Sequence, residues 1–322
     1  MPTARQVLET RRPAPLTPMT PETAPVLTPR SWVRPAIAFS LVAGAVVTAG
    51  GTAWLANSGR VTSAQAESVV APTTAPPPTA TPLPAAVAAQ QEAASLQSLL
   101  TNFAAPNADK YGIVVTNLKT GATASVNAAQ ATTSASLYKL FVAQQIYRQI
   151  DNGQLDSSQA AGGGTGRTVA SCLDLMITVS DNDCGRALGS ILNWQAQDAS
   201  LKAAGYPTTT LATPQQTSAR DVATLLQRLY DGTLNSPSSN DRLLGLLKAQ
   251  RVNNRLPTGL PAGTLVAHKT GDLDGYVHDA GIVYGPKADY LVVVMSGSWD
   301  APGTAPAQFT ALSQQLWNFF EQ

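Results

Sequence analysis

Between Glu92 and Glu321 the chain contains no glutamate, which excludes any mechanism that relies on a glutamate base in that stretch. Histidine and cysteine are equally scarce, with two of each in 322 residues. Both histidines, His268 and His278, lie in the C-terminal strand region, far along the chain from Cys172 and Cys184, so two His and two Cys this far apart do not offer clustered metal ligands. The same placement argues against a Ser-His-Asp hydrolase, for which there is also no Gly-x-Ser-x-Gly elbow. Charged residues make up only 13% and sum to a formal +1, with no basic run in the body, so nothing points to a nucleic-acid partner. No cofactor motif is present and none is expected.

What charge there is distributes unevenly. Arg5, Arg11, Arg12, Arg30 and Arg34 precede an uncharged stretch, residues 35–56, with Trp32 and Trp54 at its flanks. About 20 such residues suffice for a helix to cross a bilayer, and arginines on the N-terminal side predict a cytoplasmic N-terminus with the remainder exported. Residues 1–34 are expected to be a disordered cytoplasmic segment and 35–56 a membrane anchor. The alternative is a signal peptide cleaved near Ala66, which would release the body. Residues 57–90, rich in Pro, Thr and Ala with Pro76, Pro77 and Pro78 consecutive, read as an extended spacer. The body is then 91–322.

Within the body, Glu92–Phe103 has helical spacing, residues 111–128 read as a hairpin turning at Asn117–Gly121, and a helix entered at Ser136 runs to Asn152 with apolar residues around most of its circumference. Short helices are expected at 171–179, 184–192 and 220–230, then three strands (LVAHKTG, HDAGIVYG, YLVVVMSGS) and a helix over 305–320. This order suits an α+β fold: a five-stranded antiparallel sheet with the terminal helices packed on it, beside an all-helical region. The body is expected to be monomeric. Cys172 and Cys184, in an exported chain, are expected to pair around the 180–182 loop, against the alternative of two buried thiols.

Three motifs could carry chemistry. Ser136-Leu137-Tyr138-Lys139 puts a hydroxyl and an amine on one face of a helix start, where free backbone N–H groups, that of Ser136 included, can receive an oxyanion. On a helix this apolar the lysine is buried, and burial lowers its pKa toward that of a base. Ser180-Asp181-Asn182 is either an N-cap turn or a site in which Ser180 relays a proton and Asn182 contacts a substrate amide. Lys269-Thr270-Gly271 ends an apolar strand: Lys269 and Thr270 can meet a substrate carboxylate, Gly271 permits close approach, and the Asp272 N–H is a second oxyanion donor. The identical letters at Lys119-Thr120-Gly121 fall in a hairpin turn and are read as structural.

With these residues, and with the segments ITVSDND, HKTGDLDGYVHDAGIVY and SARDVATLLQRLYDG, the body resembles the class A β-lactamase and penicillin-binding-protein superfamily over 91–322. The resemblance implies that Ser136 is acylated by β-lactams or D-Ala-D-Ala-like peptides, with Lys139 as general base, Ser180 as proton relay, and Lys269 and Thr270 as the carboxylate site. It fails at one point. Class A enzymes release the acyl group with a glutamate on a loop between the second and third motifs; the corresponding region here offers Gln215 and Gln216, with Asp198 and Asp221 near in sequence. Slow or glutamate-independent release is therefore expected, or else a non-turnover module that binds peptidoglycan or senses β-lactams.

Overall fold

The computed structural model describes residues 84–299, 303 and 305–322. The expected cytoplasmic segment, membrane anchor and most of the spacer lie outside them. Among the described residues no helix is long and apolar enough to cross a membrane.

The chain enters through helix α1, Pro84–Ala104. It begins inside the stretch read as spacer, because Pro84 is pre-organised for a first helical turn and the alanine-rich residues behind it favour helix once prolines cease. Strands β1 (Tyr111–Asn117) and β2 (Thr123–Val126) form the expected hairpin. Glu92 holds its turn, accepting from Asn117 Nδ2 and, at 2.7 Å, from Thr120 Oγ1. That confirms Lys119-Thr120-Gly121 as a turn. Near the C-terminus β5 (Leu265–Leu273), β6 (Tyr276–Tyr284) and β7 (Asp289–Ser296) follow, numbered after a two-residue pair formed by β3 (Thr132–Thr133) and β4 (Gln216–Thr217). The main sheet has the order β2-β1-β7-β6-β5 and is antiparallel throughout.

Alternation sorts the two faces. Ile113, Val115, Val292 and Val294 pack with Leu96 and Leu100 of α1 and with Phe309, Leu312, Leu316 and Phe320 of the last helix, Ala305–Glu321. Val114, Leu291, Val293 and Met295 point the other way, into a larger core around α2 (Tyr138–Asp151), where every residue from Tyr138 to Tyr147 is buried. Around α2 stand α3 (Val169–Thr178), α4 (Asn182–Leu192), α5 (Trp194–Ala203), α6 (Ala219–Tyr230) and α7 (Pro237–Lys248), making the terminal helix α8. Thr168, Asp181, Ser218 and Ser236 cap α3, α4, α6 and α7, each side chain accepting an N–H of the first turn. The sequence reading overlooked α7, although Ser236-Pro237 is a cap followed by a first-turn proline.

Candidate active site

The chemistry sits where the helical region meets the outer strand β5. Ser136 lies in a single 3-10 turn, Ala135–Leu137, that leads into α2. Ala135 takes φ 43, a left-handed value a β-carbon disfavours, so the turn is held by its surroundings rather than by local preference. Lys139 follows one turn on and is wholly buried. Its Nζ lies 3.2 Å from Ser136 Oγ, 3.1 Å from Ser180 Oγ, 2.6 Å from the Ser180 carbonyl and 2.8 Å from Asn182 Oδ1. No carboxylate touches the amine among the described residues, and burial pushes its pKa down to about 8, partly offset by Asp181.

Ser180 belongs to the bend between α3 and α4, and its φ of 61 turns the side chain toward Lys139. Asp181, not Ser180, caps α4 by accepting the Cys184 N–H at 2.8 Å, which leaves the Ser180 side chain to face the two lysines. Cys172 of α3 and Cys184 of α4 form the disulfide, joining the two helices on either side of this bend. Lys269 approaches from β5: its Nζ lies 2.9 Å from Ser180 Oγ and 2.8 Å from the Thr270 carbonyl. Burial, and then the charge of Lys139, lower its pKa to about 7. Ser180 Oγ thus receives donors from two amines, which fill its two lone pairs and leave its own hydrogen to point elsewhere.

Gly271 passes close beside Ser136, since a β-carbon placed on it would stand 3.2 Å from the Ser136 backbone nitrogen and 3.3 Å from Ala135 Cβ. Thr270 is buried, while the Asp272 side chain is 61% exposed and ion-paired with Arg255. All the residues named from sequence, Ser136, Lys139, Ser180, Asn182, Lys269, Thr270, Gly271 and Asp272, therefore converge on one seam.

Sequence reasoning missed the supports behind that seam. His278 is buried, its Nε2 2.8 Å from the Thr133 carbonyl, and its Nδ1 accepts the Ser296 N–H at 3.1 Å; this fixes the tautomer and pins the strand leading to Ser136. His268 Nδ1 meets buried Asp279 at 2.8 Å. The histidines that were set aside as catalysts are braces. Their alternation with Asp279 in apolar strands was the available signal, because a buried polar side chain needs a partner.

Asp198 and Asp221, the two carboxylates near the loop, have structural partners. Asp198 accepts the Leu211 N–H at 2.7 Å, and buried Asp221 accepts the Thr208 N–H at 2.9 Å and the Thr209 hydroxyl at 2.8 Å. The Gln215 carbonyl takes the Ser134 N–H at 3.2 Å, and Gln216 pairs with Thr133 in the small sheet, so both glutamines act through their backbones on the lead-in to Ser136. Glu321, like Glu92, holds a hairpin turn, accepting the N–H groups of Lys287 and Ala288.

Comparison with known proteins agrees with this arrangement. A family model described as the β-lactamase enzyme family matches residues 94–320. Comparison with curated protein sequences gives no match. Among solved structures, PBP-A is 26% identical with a TM-score of 0.61, covering 73% of this chain and 96% of its own. A PBP-A mutant solved as an acyl-enzyme complex with penicillin G is 27% identical with a TM-score of 0.62, covering 73% and 97%. The ancestral GNCA class A β-lactamase, at 23% identity and a TM-score of 0.64, covers 70% of this chain and all of its own, and shares the fold. The chain belongs to the β-lactamase enzyme family, and its body has the five-stranded α+β fold of the class A β-lactamases.

Proposed function

We propose that the body is a serine hydrolase acylated at Ser136 by β-lactams or D-Ala-D-Ala-like acyl peptides, and that it releases the acyl group slowly and without a glutamate. The observation that carries this reading is the reach of one buried amine, that of Lys139, to both Ser136 Oγ and Ser180 Oγ. In its neutral form Lys139 takes the Ser136 proton as Oγ bonds to the carbonyl carbon. The resulting oxyanion is received by the N–H groups of Ser136 and Asp272. As the carbon–nitrogen bond breaks, the proton passes from Lys139 through Ser180 to the leaving nitrogen. Lys269, charged, and Thr270 hold the substrate carboxylate, and Asn182, whose Oδ1 is engaged by Lys139, presents its amide to the acyl side chain.

Release must then use what remains. Glu92 and Glu321 are bound to hairpin turns, and Asp198 and Asp221 to the loop backbone, which leaves Lys139 and Ser180 to activate water. The acylation of a PBP-A mutant by penicillin G supports a β-lactam as one substrate. The absence of a glutamate between Glu92 and Glu321 favours a second reading, a β-lactam sensor or peptidoglycan-binding module acylated once without turnover. Incubating the protein with a fluorescent penicillin and following the label separates the readings. A Ser136-dependent adduct that decays over minutes to hours supports slow hydrolysis; one that persists supports the sensor; no adduct and no hydrolysis removes the acylation claim.

We further propose that residues 35–56 anchor the body outside the cell with the N-terminus in the cytoplasm, on the strength of the uncharged run behind five arginines. Protease accessibility of the body in intact spheroplasts, with the protein remaining in the membrane pellet, tests the anchor against release near Ala66.

A further inference from the structure

Arg255 is a buried cation, 3% exposed, just before the turn Leu256–Gly259. One guanidinium nitrogen donates to the His278 carbonyl at 2.8 Å, the other is paired with the Asp272 carboxylate, and Nε has no partner. The nearby buried carboxylate is not available to it, because Asp279 is engaged by His268 and by the Leu256 N–H. Among the described residues Asp272 is therefore the only carboxylate paired with Arg255.

The position of Asp272 gives that pairing a consequence. In a strand, residues two apart share a face, so Asp272 lies on the side of β5 that carries Thr270, one of the two residues assigned to the substrate carboxylate. At this end of β5 the cations are buried, Lys269 and Arg255, whereas the exposed charges are Asp272 and Asp274. A carboxylate approaching Thr270 meets a negative rim, and finds the arginine already holding an internal anion.

We propose that Asp272 is a specificity-determining residue that, by occupying Arg255 and placing a negative charge beside Thr270, slows acylation by donors with a carboxylate beside the scissile bond relative to their neutral esters, against the hold that Lys269 and Thr270 provide. The inference rests on the proposed acylation of Ser136. Like charges at contact distance near a protein surface repel enough to alter a rate about tenfold, and salt screens the effect.

The test compares benzylpenicillin with its methyl ester on the full-length protein, reading the rate of Ser136 adduct formation by intact mass. In Asp272→Asn, and independently in Asp272→Ser, the acid-to-ester ratio of acylation rates is expected to rise about tenfold over the unsubstituted protein. In the unsubstituted protein, added salt is expected to speed the acid and not the ester. A ratio that does not change, including one in which both rates fall together because β5 has loosened, overturns the inference while leaving acylation intact. Absence of a Ser136-dependent adduct with either compound in every variant overturns the acylation reading and the inference with it.

Discussion

Gly271 packs against Ser136 so closely that an added β-carbon would stand 3.2 Å from the serine's backbone nitrogen. That nitrogen is a proposed oxyanion donor. Gly271→Ala is expected to displace the donor and slow acylation by about tenfold or more, since losing such a donor outright costs a hundredfold or more. Adduct formation measured against an unchanged unfolding midpoint checks it; an unaltered rate would show that the Ser136 N–H takes no part.

The two buried lysines share Ser180 Oγ and titrate as a pair. Burial holds both below the ordinary lysine value of 10.5, to about 8 for Lys139 and about 7 for Lys269. Acylation requires the singly protonated pair with the neutral amine on Lys139 and the charge on Lys269, the reverse of their order in the free protein, and a substrate carboxylate beside Lys269 favours that arrangement. Its rate is expected to rise as the first proton leaves near neutrality and to fall when the second leaves. Lys269→Ala removes a like charge, so the Lys139 pKa rises and the ascending limb moves to higher pH. A pH profile of adduct formation that is flat from 6 to 9 would contradict the assignment.

His278 links pH to stability. Burial lowers its pKa from 6.5 to about 4, so the folded protein keeps it neutral where the unfolded chain takes up a proton. Its contribution is complete above about 6.5 and is lost as pH falls toward about 4, amounting to roughly 3 kcal/mol from this residue. Urea unfolding at pH 7 and pH 4.5 reads the loss. In His278→Gln the pH dependence over that interval is expected to flatten, even though the substitution weakens the hold on Thr133.

Reduction of the disulfide opens a loop whose ends are 12 residues apart and which carries Ser180. Chain entropy assigns such a closure about 3 kcal/mol. Replacing Cys172 and Cys184 by serine is expected to lower stability by about that amount and to slow acylation, because the bend between α3 and α4 then loses its covalent tie and is held by hydrogen bonds alone. Denaturation midpoints and adduct rates, measured together, decide whether the effect on the site exceeds the loss of stability.

Much of this protein could be read along the chain. The β-branched and apolar runs at 111–117 and 289–296 announced strands, and the turn at Asn117–Gly121 announced a hairpin. The apolar circumference of α2 announced a buried lysine, and the context of the two Lys-Thr-Gly copies told the turn from the strand. Such features are local, because helix and strand periods are set by neighbouring backbone geometry.

The amino-acid order by itself determined the three motifs, the strands and helices that carry them, and the absence of a glutamate between Glu92 and Glu321. Only the tertiary structure decided that Ser180 Oγ stands between Lys139 and Lys269, that Arg255 holds Asp272, and that His278 braces Thr133 from 145 residues away. These contacts join segments distant in sequence, and their geometry follows from strand order and helix packing. Where a buried polar group finds its partner depends on which elements are pressed together, and no period in the chain encodes that.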